Sequence, residues 1–136
     1  MKLGAIYSKE KTTFTLFSPV ADSVFVIFYD KGNDSTETGR LEMMRGEGEL
    51  RSIFSATAEG NLDGVYYTYE VHTADGTFSS HDPYARACGV NGHRSMVIDL
   101  SKTDPDGFAD EDRPKLADPM SMVITEVSVA DVSAGA

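Results

Sequence analysis

Apolar and polar residues alternate with a period of two through most of the first hundred positions, the spacing of strands that bury one face. In residues 12–17, Phe14 and Leu16 fall on one face while Thr13, Thr15 and Phe17 fall on the other. Residues 23–29 are almost continuously apolar (Val24, Phe25, Val26, Ile27, Phe28), which predicts a central strand covered on both faces. Residues 50–56 set Leu50, Ser52 and Phe54 against Arg51, Ile53 and Ser55, a weaker pattern. Residues 65–72 are rich in β-forming aromatics, with Tyr67, Tyr69 and Val71 opposite Tyr66, Thr68, Glu70 and His72. Residues 95–99 form a further short β run, and no window sustains a 3.6-residue apolar period.

Turn chemistry separates these runs. Asp75-Gly76, between Val71-His72-Thr73 and Thr77-Phe78, predicts a hairpin. Ser18-Pro19, Lys31-Gly32-Asn33-Asp34, Gly46-Glu47-Gly48 and Gly60-Asn61-Leu62-Asp63-Gly64 break the others. Short strands at this spacing predict an all-β sandwich over residues 1–100. Beyond Leu100 the texture changes. Residues 101–121 are acidic and punctuated by Pro105, Pro114 and Pro119, which no regular ladder tolerates; they predict an extended connector. Residues 122–129 (Met-Val-Ile-Thr-Glu-Val-Ser-Val) predict one last strand, which needs a partner to be stable.

Composition narrows the class. A chain of 136 residues with 40% hydrophobic and 25% charged content supports one packed domain with a tail. Its net charge of −10 argues against nucleic acid or an anionic membrane as partner, and is compatible with a neutral polysaccharide. No apolar run reaches the roughly 18 residues of a spanning helix, and the opening residues lack the apolar segment of a signal peptide. The expected location is the cytoplasm, or outside the cell if a leader has been removed. The single cysteine, Cys88, forms no internal disulfide and has no activating base placed by the sequence; it reads as a small buried or half-buried residue.

Candidate chemistry is sparse. Asp104, Asp106, Asp110, Glu111 and Asp112 cluster in the connector without a calcium-loop signature, and read as a polar linker. His72, His81 and His93 share no metal-ligand spacing. No metal, cofactor or catalytic centre is expected. Sugar contact needs planar aromatics on a surface. The chain has no tryptophan, so the candidates are Tyr29, Tyr66 and Tyr84, with Tyr7 behind them; core packing is the competing role for each.

Residues 82–100 carry the most specific pattern: Asp82-Pro83-Tyr84-Ala85-Arg86-Ala87, then Gly89-Val90-Asn91-Gly92-His93-Arg94, then a strand closing on Asp99-Leu100. This order resembles the junction between the β-sandwich and the catalytic barrel of type I pullulanases, debranching enzymes of the α-amylase superfamily. Leu3-Gly4-Ala5-x-Tyr7, Thr12-Thr13-Phe14-x-Leu16-Phe17-x-Pro19 and Gly64-Val65-Tyr66-Tyr67-x-Tyr69-x-Val71 are similar to the strands of that N-terminal module, which is grouped with carbohydrate-binding module family 48. Asp99-Leu100-x-x-Thr103-x-Pro105-x-Gly107-Phe108 and Arg113-Pro114 are similar to its connector.

The resemblance implies an immunoglobulin-like sandwich of the early-set type over residues 1–100, a connector at 101–121, and at 122–136 a remnant of the first barrel strand. It implies a non-catalytic accessory module of an α-1,6-glucan debranching hydrolase, with the barrel of the same parent chain as its partner and an α-glucan as a second candidate. Asp82, Pro83, Tyr84, Asn91 and Arg94 are then the docking residues. The catalytic carboxylates of the family lie on barrel strands absent from this chain, so none is carried over and the chain alone is expected to be inactive. A stand-alone glucan-binding module and a sandwich used purely for protein contact remain the alternatives.

Overall fold

The computed structural model describes residues 2–112 and 115–134, in two units, Met1–Thr103 and Asp104–Ala136. Met1, Arg113, Pro114, Gly135 and Ala136, which enter the sequence readings above, lie outside the described residues.

The first unit holds nine strands: β1 (Gly4–Tyr7), β2 (Lys11–Phe17), β3 (Ser23–Tyr29), β4 (Gly39–Arg45), β5 (Ile53–Glu59), β6 (Tyr66–Thr73), β7 (Gly76–Ser80), β8 (Ala87–Cys88) and β9 (Ser95–Met96). All pair antiparallel in the order β1-β2-β5-β4-β3-β6-β9-β8, with β7 also on β6. The sheet folds over at β4. Residues 39–43 of that strand pair with β3, while Met44 and Arg45 pair with Ser55 and Phe54 of β5. One chain segment thus serves both layers of an immunoglobulin-like β-sandwich, as strands that switch sheets do at sandwich corners.

The alternation read from the sequence sets the core. Phe14 and Leu16 from β2, Phe54 from β5, Val24 and Val26 from β3, Met43 from β4, and Tyr67 and Tyr69 from β6 are buried between the layers. Phe14 meets the ring of Tyr67 edge-on at 5.0 Å, and Tyr67 meets Tyr69 at 5.8 Å. The outer face of β3 is covered by side chains rather than by a third layer. Arg40 lies 5.8 Å from the centre of the Phe25 ring, His72 packs edge-on to Phe25, and Arg94 lies over Tyr29. That cover explains why the strand is apolar on both faces.

The structure differs from the sequence reading at several points. β4 was not among the predicted strands, because Arg40 and Glu42 break an apolar run that reduces to Leu41 and Met43 on its inner face. β5 begins at Ile53 rather than Leu50, since Gly48–Leu50 forms a single 3₁₀ turn entered through Gly48 at φ +58°. The predicted hairpin forms as β6–β7, with Thr73 opposite Gly76, so its two loop residues are Ala74 and Asp75. Gly76 itself opens β7 at φ +135°.

In the second unit residues 122–128 are in no strand, and Val129–Ser133 is a short helix, α1, whose N-cap Ser128 accepts from the Asp131 N–H. The strand expected over 122–129 therefore does not form. Its residues are β-prone, but a lone strand leaves its backbone groups unpaired, and no second strand is described in this unit. Phe108–Asp110 and Pro119–Ser121 form further single 3₁₀ turns, the latter capped by the Asp118 carboxylate accepting from Met120 N–H at 2.9 Å.

Candidate functional site

The segment after β7 is built around Asp82. Its backbone N–H donates to Ser95 Oγ at 2.8 Å. Its Oδ1 accepts from the Tyr84 N–H at 2.8 Å, and Ala85 N–H returns to the Asp82 carbonyl, the signature of an Asx turn. Oδ2 accepts from the phenols of Tyr67 at 2.7 Å and Tyr69 at 3.1 Å. Asp82 is 2% exposed. Burial, and then the Asp82 charge, raise both phenols well above the ordinary tyrosine range. The Asp82 carboxylate, one of the expected docking residues, takes its hydrogen bonds from within the sandwich and faces the core.

Its neighbours behave differently. Pro83 and Tyr84 are exposed, Tyr84 by 52%, and Asn91 is exposed in a left-handed conformation at φ 53°. The loop that carries Asn91 is a tight 3₁₀ turn, Val90–Gly92, closed by Gly92 N–H to Gly89 O and Gly89 N–H to Arg94 O. Tyr84 sits beside Gly4 at the start of β1. A Cβ on Gly4 would stand 2.8 Å from that of Tyr84, so glycine is required there, at φ +86°.

Arg94 is a fastener. Its guanidinium lies 3.6 Å from the centre of the Tyr29 ring and donates to Lys31 O, Ser35 Oγ and Ser35 O at 2.7–2.8 Å. It ties the β8–β9 loop to the β3–β4 loop, where Gly32 and Gly89 meet backbone to backbone: a Cβ on Gly89 would fall 2.6 Å from Gly32 Cα. A Cβ on Gly32 would likewise press on the Tyr66 ring at 3.1 Å. Tyr29, Tyr66 and Arg94 are thus brought together at the outer end of β3 and β6. Tyr29 has one ring face covered by Arg94 and its hydroxyl 3.3 Å from Thr68 Oγ1, which counts against it as a sugar platform. Tyr66 is half-buried, leaving Tyr84 the most open of the three candidates.

Cys88 is exposed on β8, not buried as expected, because this two-residue strand lies at the end of the sheet path. Two groupings carried no sequence signal, since each joins two segments that lie far apart in the chain. Arg40 bridges Glu37 at 2.8 Å and Glu70 at 3.3 Å, with His72 Nε2 3.0 Å from the same Glu70 oxygen. Where the chain leaves the sandwich, Lys102 Nζ reaches Asp63 at 2.6 Å while Asp63 Oδ1 accepts from the Asp99 N–H. Asp99 Oδ1 accepts from both the hydroxyl and the N–H of Ser101.

The family described as carbohydrate-binding module 48 (isoamylase N-terminal domain) matches residues 2–85. Among curated relatives, Pullulanase A of Streptococcus pneumoniae serotype 4 is 31% identical over 116 residues, 80% of this chain and 9% of that protein. The pullulanase of Bacillus subtilis strain 168 is 30% identical over 98 residues, 71% of this chain and 13% of that protein. The apo pullulanase of Paenibacillus barengoltzii superposes with a TM-score of 0.85 at 35% identity, covering 96% of this chain and 19% of that one. The same enzyme in complex with maltohexaose and α-cyclodextrin superposes at 0.80 and 34% identity, over 87% of this chain and 18% of that one. The chain thus spans about a tenth of the length of the curated relatives it matches.

Proposed function

Because the chain belongs to the carbohydrate-binding module 48 family, we propose that it is the non-catalytic accessory module of an α-1,6-glucan debranching hydrolase of the pullulanase type. The observation that carries this reading is the extent of the likeness. The match to the Paenibacillus barengoltzii pullulanase runs through the sandwich and on into the second unit, over 96% of the chain. In this role the exposed edge at Pro83, Tyr84 and Asn91 packs against the catalytic barrel of the longer polypeptide, and an α-glucan is the candidate ligand. Asp82 and Asp99 are the buried carboxylates of the sandwich, and both are held by donors that fix the fold.

A glucan-binding role for the isolated module is the second reading, favoured by Tyr84, whose aromatic surface is the most open of the three candidate tyrosines. Titration of the 136-residue chain with maltoheptaose, followed by tyrosine fluorescence, tests it. Saturable binding lost in Tyr84→Ala or Tyr66→Ala, but kept in Tyr29→Ala, supports glucan contact; silence leaves packing against the barrel as the role. The chain should release no reducing sugar from pullulan, and turnover by the pure chain would overturn the accessory assignment.

A further inference from the structure

β1, one end of the sheet path, faces the end of β9 and the segment after it across an open cleft. A cavity of about 300 Å³ is lined on one bank by Ala5, Ile6 and Tyr7 of β1, and on the other by Arg86 and the segment from Met96 to Ser101. The buried side chains of Tyr67 and Val97 lie at its floor. β1 has a single neighbour, β2. Ser8 N–H donates to Lys11 O at 2.8 Å, and the register of the pair then places Gly4 and Ile6 in hydrogen-bonded positions. Because such positions alternate in an antiparallel ladder, the N–H and C=O of Ala5 and Tyr7 point away from β2, toward the cleft. Across it, Val97 N–H is taken by Val65 O, which turns the backbone of Ile98 to the opposite side from β6.

An open strand edge is a template for another chain unless something blunts it. Here the rim is cationic, and cationic side chains on an edge turn away an uncharged or basic strand but not an acidic one. Lys2 and Arg86 both line the cleft, both are exposed, and neither forms a hydrogen bond or ion pair among the described residues. The one acidic residue in the lining, Asp99, keeps its charge but is 7% exposed and hydrogen-bonded to Ser101. Two unpaired, exposed cations against that one buried carboxylate leave the lining net positive, on a chain of net charge −10, a local attraction for carboxylates that the rest of the surface repels.

We propose that this cleft takes an extended, carboxylate-bearing polypeptide segment as an added strand on β1. Alternate side chains of the guest point to the Tyr67–Val97 floor and suit small aliphatic residues. The others point outward, where acidic groups reach Lys2 and Arg86. This goes beyond the accessory-module reading and does not need glucan binding.

The test uses the whole chain and an acetylated, amidated peptide Glu-Val-Asp-Val-Glu, followed by amide NMR. Saturable shifts centred on Ala5, Tyr7 and Ile98 are expected, with the Ala5 and Tyr7 amides becoming slow to exchange. Arg86→Glu should weaken binding about tenfold. Ala5→Pro should abolish it while sparing the β1–β2 ladder, because proline removes an edge donor that β2 does not use. Ala5→Ser should bind as the parent does. The proposal is overturned by unshifted β1 amides at saturating peptide, by equal binding of Lys-Val-Lys-Val-Lys, or by maltoheptaose shifting these amides in place of the peptide. Maltoheptaose shifts confined to Tyr84 and Tyr66 would bear on glucan contact and leave the strand-addition result standing by itself.

Discussion

The Asp82 carboxylate accepts a hydrogen bond from the Tyr67 phenol at 2.7 Å, with both residues withdrawn from solvent. A buried carboxylate normally demands a cation; here the donors are two phenols and one backbone N–H. Removing the acceptor orphans all three. Asp82→Ala should therefore destabilise the fold by about 2–4 kcal/mol, and Tyr69→Phe by about 1 kcal/mol. Urea denaturation checks both, and an unchanged midpoint for Asp82→Ala would show that this junction does not hold the sandwich.

The same contact sets behaviour in alkali. Tyr67 and Tyr69 have their ionisation raised by burial and by Asp82, against an ordinary value of 10.0. The unfolded chain therefore loses these protons first as pH rises. The contribution is intact below about pH 10 and falls above it. Phenolate absorbance should show Tyr67 and Tyr69 ionising only together with unfolding. Ionisation of Tyr67 and Tyr69 in the still-folded protein near the ordinary value of 10.0 would contradict this.

How much of this was legible depends on whether a residue's role is local. Phe14 with Leu16, and Tyr67 with Tyr69, were grouped on one face of their strands from alternation alone, because a strand's two faces are fixed by parity. The internal role of Asp82 was not legible, since its identity signals a turn and says nothing of the two phenols that reach it from β6. β4 escaped notice because an outer row of Arg40 and Glu42 hides a two-residue inner row. The segment after Pro119 has strand composition without a strand, because composition cannot supply a neighbour. Lys2 and Arg86 form one rim only after the sheet curls.

Arg94 and Gly89 should be sensitive for different reasons. Lysine at position 94 keeps the charge but loses the planar stack on Tyr29 and the fork to Lys31 and Ser35, so Arg94→Lys should cost about 1–2 kcal/mol. Gly89→Ala should cost more than Gly92→Ala despite the positive φ at Gly92. A Cβ at 89 meets the Gly32 backbone at 2.6 Å, whereas one at 92 meets nothing within 4 Å. Hydrogen exchange of the Lys31–Ser35 amides reports the loosening; equal effects at 89 and 92 would argue against a backbone contact.

Thr12 offers a change in the opposite direction. It is fully buried on β2, and its Oγ1 has no hydrogen-bond partner among the described residues. Valine has nearly the same shape without the stranded hydroxyl. Thr12→Val should raise stability by about 1 kcal/mol, whereas Thr12→Ala should lower it by leaving a void. A lower melting temperature for Thr12→Val would mean that the hydroxyl is bonded.

Acid should act on the chain where it leaves the sandwich. The carboxyl of Asp63 is held below the ordinary value of 3.8 chiefly by its hydrogen bond from Lys102, then by the Asp99 N–H. That of Asp99 is held below the same value chiefly by the Ser101 hydroxyl. Both favour the ionised form when folded, so the unfolded chain takes up protons first as pH falls. The stabilisation is complete above about pH 4 and is lost as pH drops through the folded values. Asp63→Asn should flatten this acid limb and detach Lys102, and Asp99→Asn should do so while leaving the Lys102–Asp63 pair in place. Because Lys102 is largely exposed, added salt should weaken the Asp63 effect more than the Asp99 effect, whose partner is a neutral hydroxyl. Thermal melts across an acid series, with and without salt, measure all of this; acid limbs of the same slope in parent and Asp63→Asn would place the acid-sensitive contact elsewhere in the sandwich.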